Sequence, residues 1–201
     1  MDSVRVEQFW KWFVENADAI ASSNENRAVL SKLDSEITSL DPGISWEIGP
    51  GTLKPWQLVL SPNLNRDLRE TTRAIVAASP TLSGWEFIPS RTPKNWNYEF
   101  ELSATLGDKS VKLDASGWTF VLLQYPDGSR EILLHGSDLP ALDSDQRWHA
   151  AAIALESILG EDVLLDSVDE FQLADELEQR FIETARPIQS LQAAVMGTQT
   201  S

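Results

Sequence analysis

The sequence predicts an α+β fold, an antiparallel β-sheet with helices packed mainly on one face and two N-terminal helices ahead of the first strand. Three observations predict it. Apolar residues recur at three- and four-residue spacing through residues 1–40, they alternate at two-residue spacing through the middle of the chain, and most alternating runs are joined by short turn signals.

The first helix spans about Val4 to Ile20, because Val6, Phe9, Trp10, Phe13, Ala17 and Ile20 fall on one face. A second runs from about Asn26 to Leu40 on Leu30, Leu33, Ile37 and Leu40. It stops at Asp41-Pro42-Gly43, where proline cannot continue a helix and glycine supplies the turn. Ile44, Trp46 and Ile48 then share one strand face, and Trp56, Leu58 and Leu60 share another across the Gly49-Pro50-Gly51 turn, which reads as a hairpin. A third helix at about Leu64 to Ala78 packs through Leu64, Leu68 and Ile75. Strands follow at Trp85 to Ile88 and Tyr98 to Ser103.

The clearest hairpin joins Trp118–Tyr125 to Arg130–His135 around Pro126-Asp127-Gly128-Ser129. Residues 118–125 are apolar on both faces, so that strand is placed centrally. A fourth helix starts near Ser144, buries Trp148, Ala152, Leu155 and Leu159, and ends at Gly160. A last strand is expected over about Val163 to Leu173. A last helix follows, with Asp175 as N-cap and Glu178 completing a capping box. The expectation is one domain over residues 1–186, with 187–201 as a frayed tail.

Charge narrows the function classes. The chain carries −15, with 42–110 balancing to zero and 161–201 carrying −7. Such a field repels phosphate-rich nucleic acid and anionic lipid and favours a basic protein partner. No apolar run reaches the length of a membrane span and no apolar signal core opens the chain, so a cytoplasmic protein with neither nucleic-acid nor membrane partner is expected. Cysteine is absent, which removes thiolate chemistry and cysteine-held metals.

Candidate chemistry is sparse. The two histidines, His135 and His149, lie on different predicted elements, and no Gly-x-Ser-x-Gly elbow, EF-hand loop or phosphate loop is present. No cofactor or metal is expected, and a non-enzymatic role is favoured. Glu99 and Glu101 on one strand face read as the polar side of a half-buried sheet. Arg66, Arg69 and Arg73 form a basic stripe on the third helix, interleaved with Asp67 and Glu70, so ion pairing within the helix is its first explanation. Six tryptophans fall on apolar faces. Trp12 lies off the first helix's stripe and Trp96 sits between Asn95 and Asn97, which makes both candidate binding anchors. Glu161, Asp162, Asp166, Asp169 and Glu170 begin an acidic run, continued by Asp175, Glu176 and Glu178, with no basic residue across 161–178.

Phe9-Trp10-Lys11-Trp12-Phe13, Gly84-Trp85-Glu86-Phe87 and Leu159-Gly160-Glu161 together resemble an uncharacterised bacterial family of small acidic α+β proteins, over about residues 7–173. That resemblance implies a compact α+β domain and carries no catalytic residue. Size and charge are also similar to those of immunity proteins of bacterial toxin systems. The leading expectation is therefore a protein-binding domain whose 161–178 surface meets a basic toxin. The rival is a small-ligand binder or enzyme with a carboxylate- or Arg-based pocket near Trp12, Trp96 or the arginine stripe. Oligomeric state stays open, since an apolar helix face serves a dimer as readily as a core.

Overall fold

The N-terminal stripe forms helix α1 (Ser3–Ala21), which buries Val6, Phe9, Trp10, Phe13, Ala17 and Ile20, and the Asp2 side chain caps it by accepting from the Val4 N–H. In this computed structural model the described residues are 2–22, 27–102, 110–136, 139 and 142–197. The expected helix start at Asn26, the strand end at Ser103 and the tail beyond 197 lie outside them. The chain divides into two compact units, residues 1–91 and 92–201.

In the first unit, α1 is followed by α2 (Arg27–Leu40), which buries Val29, Leu33 and Ile37. Strands β1 (Ser45–Pro50) and β2 (Trp56–Ser61) pair as an antiparallel hairpin, with Trp46 opposite Leu60 and Ile48 opposite Leu58. The third helix, α3 (Arg69–Ala77), is shorter than its periodicity suggests: a 3-10 turn at Arg66–Leu68 precedes it, and Leu64 adopts a left-handed φ of 59°. Strand β3 (Trp85–Ile88) then pairs with β2 in parallel. Parallel neighbours need a crossover, and α3 supplies it. Aromatic rings fill the core, where Phe13 meets Trp85 edge-on at 5.0 Å and Trp10 meets Phe87 at 4.6 Å. The buried indole N–H of Trp10 is satisfied by the Ile75 carbonyl at 2.9 Å.

The second unit opens with an antiparallel pair, β4 (Glu99–Leu102) and β5 (Val111–Asp114), the latter too short to stand out in the sequence. The predicted hairpin forms from β6 (Thr119–Gln124) and β7 (Arg130–His135). After it come α4 (Ser144–Leu159), α5 (Glu161–Ser167) and β8 (Glu170–Ala174), and β8 lies parallel to β7. A short α6 (Gln179–Ile182), a two-residue β9 (Arg186–Pro187) antiparallel to β6, and α7 (Leu191–Gly197) complete the described chain. The sheet order is β8-β7-β6-β9, so β6 and β7 are interior.

Both units therefore carry the same pattern, an antiparallel hairpin whose second strand gains a parallel neighbour through a helical crossover. The expected α+β class with mainly antiparallel sheets holds, and within it the β2–β3 and β7–β8 pairings are parallel. Three expectations change. The strand foreseen from Val163 is helix α5, and Asp175 is not an N-cap: α6 begins after Glu178 without a side-chain cap. Residues 188–197 are not frayed, since Ile188, Leu191 and Val195 are fully buried.

Candidate functional site

The structure places the sequence-derived candidates in different settings. Trp12 is half-buried against the aromatic core of the first unit. Arg66 lies in the turn before α3 and Arg69 and Arg73 on α3 itself. Arg73 pairs with Glu70 at 3.0 Å, as an interleaved helix face dictates. Arg91 is held by Glu47 at 2.7 Å and the Ser45 hydroxyl at 2.8 Å, which ties it to β1.

In the second unit Trp96 is half-buried in an aromatic row, 5.2 Å from Tyr98 and 5.9 Å from Phe100, and Phe100 meets Trp118 edge-on. Trp148 reverses its expectation. It is 45% exposed, because α4 turns its alanines and Leu155 inward, and its ring stacks on Phe171 at 5.7 Å.

The acidic run is split by the fold. Glu161 opens α5 and is fully buried, so it belongs to no docking surface, and Asp162 is half-buried beside it. Asp166, Asp169 and Glu170 are exposed, and the last two enter a concave surface of about 520 Å³ formed with Tyr125, Asp127 and Glu131. The β6–β7 turn supplies one wall and the start of β8 the other. Parallel pairing sets Glu131 opposite Glu170, and like charges face each other there.

Hydrogen bonds hold this cleft in shape. The Asp169 carboxylate accepts the Arg130 N–H at 2.9 Å, and the Asp169 N–H returns to the Arg130 carbonyl at 2.8 Å. Tyr125 donates its phenol to Glu131 at 2.6 Å, and Gln172 donates to the other Glu131 oxygen at 3.0 Å. The bond to Glu131 raises the Tyr125 pKa above its ordinary value, with the negative charges of Glu131 and Glu170 adding to it and Arg180 opposing. Asp127 accepts from the Ser129 hydroxyl at 2.7 Å and from its N–H at 3.0 Å, and these bonds lower its pKa. The cleft thus sets Asp127, Glu131, Asp169 and Glu170, with Arg130 also in its lining, beside one exposed aromatic ring, Tyr125.

Among the described residues no group of three or more His, Asp or Glu side chains is placed to hold a metal. His149 directs its Nδ1 at the Asp145 carbonyl on its own helix, and His135 sits half-buried on β7. Sequence reading missed Tyr125, Asp127 and Glu131 because they precede the acidic run, which begins at Glu161, by 30 to 36 residues. Only the parallel β7–β8 pairing brings them together. Among known proteins, no protein family, curated protein or solved structure matches the chain.

Proposed function

We propose that the chain is a non-enzymatic protein-binding domain whose acidic cleft receives a basic segment of a partner protein, as an immunity-type inhibitor receives a basic toxin. One observation carries this reading: Asp127, Glu131, Asp169 and Glu170 converge beside the exposed ring of Tyr125 on one concave surface. An aromatic anchor rimmed by carboxylates suits a lysine- or arginine-bearing segment through cation–π and charge-assisted contacts. The surface differs from the stretch suggested by charge alone, since it adds the β6–β7 turn and omits Glu161. Among the described residues no helix is long and apolar enough to cross a membrane.

Co-purification from the native host tests the reading. The expected result is a basic protein retained at low salt and released at about 1 M salt, where the screening length falls to about 3 Å. Absence of any partner at either salt concentration contradicts it.

A further inference from the structure

The interior position of β6 is only half used. Its neighbour β9 pairs with Thr119 and Phe120 alone, after which the chain turns away into the α6 segment, with the Thr184 and Ala185 N–H groups bonded to the Phe181 carbonyl. Backbone direction on β6 follows from two bonds. The Trp118 carbonyl accepts from Ile188 at 3.0 Å on the β9 side, and the Tyr125 N–H donates to Ser129 at 2.9 Å on the β7 side. Antiparallel alternation then sends the N–H and C=O of the even-numbered residues toward β9, so those of Leu122 and Gln124 point past the end of β9. Among the described residues no strand pairs with them there. Edges of this kind accept an added strand.

What surrounds this edge is unusual for so acidic a chain. A groove of about 500 Å³ runs along it, lined by Leu122, Leu123, Phe181, Thr184 and two arginines, Arg180 and Arg186. Both guanidinium groups lie on rings, Arg180 at 4.4 Å from the Phe181 centroid and Arg186 at 4.9 Å from Phe120. Arg186 shares the sheet face of Phe120, its register partner, and Arg180 lines the same groove beside Leu122 and Leu123. Arg180 also pairs with Glu178 at 2.7 Å, an exposed contact that a second carboxylate can replace.

We propose that the open half of β6 is a second docking site, which takes a short extended acidic segment of another protein as an added strand. Main-chain bonds to Leu122 and Gln124 supply the pairing, and the carboxylates of the segment meet Arg186 and Arg180 along the groove. This site shares no lining residue with the acidic cleft and selects the opposite charge.

The test uses the full chain and acetylated Val-Glu-Glu-Val amide, followed by amide NMR. Addition of the peptide is expected to slow hydrogen exchange at Leu122 and Gln124, and the Val-Lys-Lys-Val counterpart is expected to bind at least about tenfold more weakly. Peptides N-methylated at residues one and three, or at two and four, separate backbone pairing from charge: one pattern abolishes binding and the other leaves it. Arg180→Gln with Arg186→Gln weakens the glutamate peptide about tenfold while leaving thermal unfolding in place. Equal binding of the two peptides, no binding, or the same response to both methylation patterns overturns the proposal. So does a chain that sediments as a dimer with Leu122 and Gln124 already protected, since a second copy then fills the edge.

Discussion

At the scale of single residues, the cleft depends on side chains fixed before any partner arrives. Asp127 shows how. The Ser129 hydroxyl and N–H both favour its charged form, so its folded pKa lies below the ordinary carboxylate value of about 3.9. A lowered pKa contributes stability that is present above the unfolded value and lost as pH falls through the folded one. Carboxyl NMR titration is expected to give Asp127 a midpoint below that of exposed aspartates, and Ser129→Ala to move it up, since the hydroxyl is the largest cause. Tyr125 has the opposite sign. Its bond to Glu131 is intact below the ordinary phenol pKa of about 10 and is lost as pH rises through the raised folded value. The cleft therefore keeps its form across the neutral range.

At the scale of elements, two glycines with positive φ do different work. Gly128 (φ 88°) closes the β6–β7 turn with open space around it, whereas Gly160 (φ 77°) joins α4 to α5 with Pro93 packed so close that a Cβ would come within 2.7 Å of it. Gly128→Ala is expected to cost about 1–2 kcal/mol for the left-handed backbone alone. Gly160→Ala adds overpacking against Pro93, about 1–3 kcal/mol more, and chemical denaturation of the two variants should show that order.

How much of each element was legible follows the same physics. Helix α1 could be read from the sequence because its buried face is a clean stripe against charged neighbours. Helix α5 was obscured because its apolar residues Val163, Leu164 and Leu165 are consecutive, a pattern shared by buried strands and buried helices. The missing cue was Glu161 and Asp162 in the first turn after Gly160, where carboxylates favour a helix N-terminus. The burial of Trp148 was misjudged because alanines gave α4 several equivalent apolar faces. The cleft was half legible: its β8 wall lay in the acidic run, and its turn wall required a parallel register that no local pattern specifies.

At the scale of the whole molecule, charge and core are distributed by unit. Among the described residues, the first unit's core cluster runs from Val6 to Trp85, with Phe87 packed against it. A fragment of residues 1–91 is accordingly expected to keep near-ultraviolet circular dichroism from its packed Trp10, Phe13 and Trp85 rings and to unfold cooperatively. A fragment lacking fixed aromatic signal would show that this unit does not stand alone. The second unit holds the acidic cleft, and its hairpin-and-crossover pattern is what places a turn of β6–β7 beside the start of β8.

The central claim, that this cleft is the partner-binding surface, is tested most directly by hydrogen–deuterium exchange on the chain alone and bound to its captured partner. The account predicts new protection over Tyr125–Glu131 and Asp169–Gln172 together, with α1 and α2 unchanged. Protection confined to other segments, with both cleft walls exchanging as in the free chain, would contradict it.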